Sequence, residues 1–380
     1  MRSRLLKLHL KGFKSISDAE FNFDTLNVLI GANGAGKSNL IEFFHMLSFM
    51  VSRPSGALQR YIVEYGGGAN RLLYDGAKRT REIEAHLVIN TDQGQNDYRF
   101  RLFYSAGDTF LFADEACRFS RTGWPLNPDW VELNAGHRES GLLNLETGQT
   151  ESTIAALLRG LVVYHFQDTS REARIKTRWR TNDSIWLKYD AANLAPFLLN
   201  LRHISPSYYR RIVETVRQVA PFFDDFVLEP EADSVLLRWR EQGSDLIFDA
   251  SQASDGMLRS MALITALMQP PEKLPALLMI DEPELGLHPY AISIVGGLIK
   301  SVGKSCQVLV ATQSPLLLDQ FGPDDVIVVE RDNRSSKFRR ESASRLQEWL
   351  DEFTMSDLWL KNVIGGRPKE THDGSPSFNS

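Results

Sequence analysis

Residues 31–38 read GANGAGKS, eight positions whose residue types suit the cradling of a chain of phosphates. Gly31, Gly34 and Gly36 free the backbone to turn, so that successive N–H groups, including those of Ala32, Asn33, Ala35 and the following Asn39, can point at phosphate oxygens. Lys37 has the reach to meet the β- and γ-phosphates of ATP, and the Ser38 hydroxyl is placed to ligate Mg²⁺. The bland alternative is a glycine turn that starts a helix. A second constellation, MIDEPE at 279–284, sets carboxylates directly after an apolar run. Asp281 suits a Mg²⁺ ligand, direct or through water, and Glu282 suits polarisation of the water that attacks a γ-phosphate. By itself an Asp-Glu pair in that position could equally cap a helix. Downstream of a phosphate-binding loop it acquires a catalytic meaning.

Such groups need a strand, a glycine loop and a helix in that order, and the flanks supply them. Residues 4–10 and 20–30 pattern as strands, the second ending in LNVLI, an apolar run typical of a sheet covered on both faces. NLIEFFHMLSFMV then reads as a buried helix, apolar nearly all round. Between about 80 and 120 the period changes to two, with Ile83, Ala85, Leu87 and Ile89 answered by Tyr98, Phe100, Leu102 and Tyr104 across the turn-rich TDQGQND, which predicts an antiparallel hairpin. Residues 120–150 read as loop-rich. Helical spacing over 193–220 puts Tyr209, Ile212, Val213, Val216 and Val219 on one face, and Val235, Leu237 and Trp239 alternate as in a strand. From 256 the order is helix (256–268), strand (276–281), helix (290–302), strand (307–311) and strand (326–330), the alternation of a parallel sheet. Leu346, Trp349, Leu350 and Phe353 mark a last helix, and the composition from 365 onward is that of a disordered tail.

Composition bounds the rest. The 380 residues, 43% of them apolar, can fill one large domain or two ordinary ones. No long uncharged apolar run or signal-like N-terminus occurs, so no membrane partner is expected and a cytoplasmic location follows by default. Cys117 and Cys306 are too few for a disulfide framework or a cysteine metal site. The net charge of -5 argues against a globally basic, nucleic-acid-coating surface. Two local basic runs, 171–180 and 331–340, fit solvated loops better than binding patches.

The segments LHLKGFKSI, GANGAGKS, ASDGMLR (253–259), DEPELGLHP (281–289) and ATQSPLLLD (311–319) together resemble the ABC-type ATPases of the RecF/SMC/OLD group. The resemblance implies a P-loop head with a mixed central sheet, an antiparallel β lobe and a helical and β insertion, dimerising head-to-tail on ATP. Ser254 and Gly256 match the signature serine and glycine that complete the partner's phosphate site, although Asp255 and Met257 depart from the usual Gly and Gln. Gln313 stands where many relatives carry a γ-phosphate-sensing histidine, and its inability to carry charge predicts slow or partner-dependent hydrolysis. Gln167, rather than Gln59, is the candidate for the Mg²⁺-sensing glutamine that links the lobes. His288 and Lys14 resemble family positions near the second subunit and the nucleotide, and packing at a helix start or in a solvated turn would explain them equally well.

The implied organisation is 1–60 for the N-terminal part of the head, 61–250 for the β lobe and insertion, 251–340 for the C-terminal part of the head and 341–380 for terminal helices and tail. The 50 residues after position 330 are too few for the Toprim nuclease domain of single-chain OLD relatives, which favours an ATP-driven switch acting on a separately encoded nuclease or other effector, as in defence against phage or plasmids. The alternative is a RecF-like repair ATPase that binds duplex DNA, with basic stretches at 171–180 and 202–217. A transport ATPase is disfavoured by the long insert between P-loop and signature, and an SMC-type arm by that insert's lack of heptads.

Overall fold

The computed structural model describes residues 3–52, 56–123, 128–133, 135–143 and 148–367. The chain opens with β1 (Arg4–Phe13), β2 (Ile16–Asn22) and β3 (Leu26–Ile30), so the stretch expected as one strand over 20–30 is two, broken at 23–25. Helix α1 (Lys37–Met50) follows the glycine loop, then α2 (Ala57–Glu64) and α3 (Ala69–Leu72). β4 (Glu82–Thr91) and β5 (Gly94–Ser105) form the expected hairpin around Asp92 and Gln93, and β6 (Thr109–Arg121) and β7 (Val131–Glu132) extend it. The antiparallel sheet runs β2-β1-β4-β5-β6-β7 and so draws strands from both sides of residue 60. Its period of two is literal. Ile83, Ala85, Leu87 and Ile89 are buried, and Ile83 and Leu87 pair in register with Leu102 and Tyr98.

Helix α4 (Gln149–Arg159) leads into β8 (Leu161–Tyr164), and β9 (Trp179–Arg180) pairs with β11 (Ser234–Val235). The helical stretch at 193–220 is two helices, α5 (Leu194–Ile204) and α6 (Pro206–Val219). Pro206 is the reason: it disfavours helical backbone at Ser205, which sits at φ -142 and ψ 62, while suiting the first turn of a new helix. β10 (Phe223–Val227), β12 (Arg238–Glu241) and β13 (Ile247–Asp249) make a small sheet beside them.

The second large sheet completes the chain. It holds β14 (Leu277–Asp281), β15 (Gln307–Thr312), β16 (Val326–Asp332) and β17 (Ser335–Arg340) in the order β17-β16-β3-β15-β14-β8. All neighbours are parallel except the β16–β17 hairpin. One face packs Leu29, Met279, Leu309 and Ala311 against α1 and the antiparallel sheet. The other packs Val28, Leu278, Ile280, Val308 and Val310 against α5, α6, α7 (Asp255–Met268) and α8 (Pro289–Gly303). Burial on both faces explains why these strands read as continuous apolar runs. A third cluster joins Ile30, Val326 and Val328 to Leu318 of α9 (Pro315–Leu318), Leu346 of α10 (Ala343–Leu350) and Leu358 of α11 (Met355–Leu360). Helix α10 ends before Phe353, and α11 is an additional element. The tail expected from 365 is ordered as far as Arg367 in contact with the sheet, and the remainder lies outside the described residues. Among the described residues no helix is long and apolar enough to cross a membrane.

Candidate functional site

Parallel strands send their carboxyl ends to one edge, and here β3, β15 and β14 lie side by side, so the segments after Ile30, Thr312 and Ile280 meet there. Residues 31–36 form the loop from β3 into α1. Gly36, the residue that caps α1, has φ 112, and a Cβ there would stand 2.0 Å from Ser336 Oγ and 2.7 Å from Ser15 Oγ, so only glycine fits. Lys37 is buried and donates from Nζ to the carbonyls of Gly31 (2.6 Å) and Ala32 (3.2 Å). Burial lowers its pKa, and the negative charges of Glu282, Asp281 and Glu284 oppose that shift. The Asn39 side chain holds Ser15 Oγ at 2.6 Å, and the Ala32 N–H donates to the Gly366 carbonyl at 2.8 Å. Both interactions face structure rather than the phosphate side of the loop.

The carboxylates meet this loop directly. Ser38 hydrogen-bonds the Asp281 carboxylate, and Asp281 Oδ1 is buried without a partner, the arrangement a divalent cation would complete. A hydroxyl and one carboxylate are the hard oxygen donors that suit Mg²⁺ shared with phosphates. Glu282 adopts φ 50, a left-handed backbone rare for a side chain of this size, with its N–H donating to the Ala311 carbonyl at 2.8 Å. Gln313 Nε2 donates to Glu282 Oε1 at 3.0 Å. Glu284 accepts from Thr312 Oγ1 (2.6 Å) and the Gln313 N–H (3.1 Å). Burial raises the pKa of Asp281, against the pull of Ser38, His165 and Lys37. Burial also raises that of Glu282, with the Asp281 and Glu284 charges adding to the rise. A carboxylate held above its ordinary range beside a lysine and an amide can accept a proton from water.

Of the two glutamines, Gln167 Nε2 lies 3.5 Å from the Asp281 carbonyl, whereas Gln59 bonds to Phe110 and Arg138 in the β lobe. Ser254 and Gly256 stand at the start of α7. Ser254 is exposed and caps the helix by accepting from the Met257 N–H at 3.3 Å. Gly256 lies so close to Gly286 that a Cβ would fall 2.5 Å from its carbonyl oxygen. Among the described residues no hydrogen bond joins either to the chain's own P-loop. His288 caps α8 through Nδ1, 3.3 Å from the Tyr290 N–H, and Lys14 pairs with Glu42 of α1. In the run 171–180, Arg174 pairs with Asp190 and Arg178 with Glu231. In the run 331–340, which is a hairpin rather than a loop, Arg334 pairs with Asp75 and Arg339 with Glu341.

With this geometry in place, the chain can be set against known proteins. Residues 26–319 match the family described as "AAA domain, putative AbiEii toxin, Type IV TA system". The chain belongs to this AAA family. Its P-loop, both carboxylates and Gln313 lie inside the matched span. The AAA chain is 22% identical to an OLD nuclease of Thermus scotoductus over 378 residues, 92% of this chain and 67% of that protein. It is 31% identical to the DNA replication and repair protein RecF of Chloroherpeton thalassium over 110 residues, and 46% identical to that of Porphyromonas gingivalis over 50. Those matches span 25% and 14% of the RecF proteins. The fold superposes on an Smc head bound to the C-terminal winged-helix domain of ScpA with a TM-score of 0.62, at 18% identity, covering 91% of this chain and 99% of that one. An Smc head from Pyrococcus yayanosii gives 0.56 at 12% identity, covering 92% and 99%. The AAA domain is thus an ABC-type ATPase domain of the RecF/SMC/OLD group.

Sequence reasoning missed Glu284 and Arg259. Arg259 donates to the carbonyls of Phe166 (3.3 Å), Gln167 (2.9 Å) and Leu285 (3.3 Å), tying α7 to the Gln167 segment and to the loop after Glu282. The sequence gives no local signal for this, because all three acceptors are backbone oxygens distant along the chain.

Proposed function

We propose that the chain binds Mg²⁺-ATP between two copies arranged head to tail, hydrolyses it slowly, and uses the cycle to switch a separate effector. The observation that carries this reading is the 3.0 Å hydrogen bond from Gln313 Nε2 to Glu282 Oε1, formed by the residues that directly follow β15 and β14, beside the P-loop lysine. In this reading the loop N–H groups and Lys37 hold the β- and γ-phosphates, and Ser38 and Asp281 hold the cation, which supplies charge neutralisation at the phosphate oxygens. Glu282 accepts the proton of the attacking water, and Gln313 orients that carboxylate without providing a charge. Gln167, in the segment that follows β8, senses the cation from the lobe side.

Ser254 and Gly256 of a second copy close the site. Supporting that arrangement, Ser254, Leu285 and Leu316 are all exposed at the ends of segments that frame the edge. The test is ATP turnover by the purified chain. Turnover well below about one per second is expected, with Glu282→Gln retaining nucleotide and Lys37→Ala losing it. Turnover by Glu282→Gln at the wild-type rate would contradict the assignment.

A second reading, duplex-DNA binding as for RecF, draws support from α6, which exposes Arg210 and Arg211 while much of the basic run at 171–180 is committed to internal pairs. Binding through α6 should weaken steeply with salt. Unchanged binding by an Arg210→Ala/Arg211→Ala chain would remove this reading.

A further inference from the structure

The phosphate loop is gripped from behind by the β16–β17 hairpin. Arg331, exposed on β16, donates from Nη1 to the Gly34 carbonyl at 3.1 Å. Ser336, buried on β17, donates from Oγ to the Ala35 carbonyl at 2.6 Å, and its N–H donates to the Ser15 carbonyl at 2.7 Å. The outer side of the loop is closed at its start by the Gly366 carbonyl, which accepts from the Ala32 N–H. Among the described residues Arg331 makes no ion pair with a carboxylate, so its hydrogen bond to the loop tip is not incidental to a neighbouring charge.

Peptide planarity turns these contacts into a statement about the phosphate side. In a trans peptide the C=O of one residue and the N–H of the next point in opposite directions. A donor that holds the Gly34 carbonyl outward therefore turns the Ala35 N–H to the other side, where it donates to the Ala32 carbonyl at 3.2 Å, a weak bond that a phosphate oxygen would replace, and one that holds the Ala35 carbonyl outward turns the Gly36 N–H the same way. Left free, these carbonyls could rotate toward the phosphates and repel them. Lys37 instead holds the Gly31 and Ala32 carbonyls on the inside, where a nucleotide would compete for its ammonium, and the Ala32 N–H accordingly points away, to Gly366.

We propose that Arg331 and Ser336 are positioning residues for nucleotide binding, preorganising the N–H groups of Ala35 and Gly36 without touching the nucleotide. The proposal rests on the reading of 31–38 as the ATP site. Because the hairpin acts on the loop, it affects ATP and ADP alike, which separates it from a γ-phosphate sensor.

The experiment is calorimetric titration of ATP and ADP into the full chain and into Arg331→Ala, Arg331→Lys and Ser336→Ala, with melting temperatures alongside. The Kd of Arg331→Ala should rise about three- to tenfold for both nucleotides, Lys should restore most of it, and KM should rise by more than kcat falls. Ser336→Ala should shift both affinities in the same direction. Unchanged affinities in both variants would overturn the proposal. So would weakening of ATP alone, which would place the guanidinium on the γ-phosphate, or a lower melting temperature with intact affinity, which would make the hairpin merely structural. Failure of the unmodified chain to bind ATP would instead sink the reading beneath it.

Discussion

Glu282 holds a left-handed backbone, and its carboxylate is fixed by Gln313 on one side and crowded by Asp281 and Glu284 on the other. Burial, with the like charges of Asp281 and Glu284 adding to it, raises its pKa, so it is protonated, and inactive as a base, at a higher pH than an ordinary glutamate. The acid limb of the kcat/KM profile, which reports the free enzyme, should therefore lie above the range of an ordinary glutamate. Glu284→Gln removes one of the raising charges while keeping an oxygen for Thr312, so the limb should move to lower pH. A limb that stayed in place or moved upward would show that Glu284 does not act on Glu282. Gln313→Ala should lower kcat by about tenfold or more with a smaller change in ATP affinity, checked by single-turnover kinetics. At this scale the sequence was legible where function sits in contiguous motifs. Lys37, Ser38, Asp281, Glu282 and Gln313 were all picked out as candidates, and the structure brings them all to one sheet edge. Arg259, Arg331 and Ser336 were not, because each acts through backbone carbonyls that no residue type announces.

The elements most readable from sequence were those with strong apolar periodicity, namely α1, the β4–β5 hairpin and the buried strands β3, β14 and β15. Elements stabilised by other means were not. β17 carries Ser335 and Ser336 at its buried positions and otherwise reads as a basic run, so hydrophobic alternation is absent even though the strand packs against the P-loop. Helix α11 is short and is anchored by polar contacts: Ser356 donates to Asp319 from N–H and Oγ, both at 2.8 Å, just beyond α9. Leu358 nonetheless fills the cluster around Ile30, the last residue before the P-loop. Leu358→Ala should cost about 2–5 kcal/mol of unfolding free energy, measured by urea denaturation. A cost below about 0.5 kcal/mol, typical of a surface position, would mean that the C-terminal helix is not part of the core.

Across the whole molecule, two sheets clasp α1 while α5 to α8 cover the other side of the parallel sheet, which delivers the strands β3, β14 and β15 that end at the candidate site to one edge. The fold class and the family followed from motifs spread along the chain. Which strands make up the antiparallel sheet did not, because β1 precedes the P-loop yet pairs with β4 beyond residue 80 and brings β2 with it. At that edge the helix capped by Ser254 makes no hydrogen bond with its own P-loop among the described residues, and in the proposed function that helix serves the phosphate site of a second copy. The proposed cycle depends on that dimer. Its most direct test is the mass of the Glu282→Gln chain, measured by size exclusion with light scattering, with and without Mg²⁺-ATP. Doubling of the mass on ATP, abolished by Lys37→Ala and weakened by Ser254→Arg, is the predicted result. A mass that stays that of one chain at saturating, demonstrably bound ATP would contradict it.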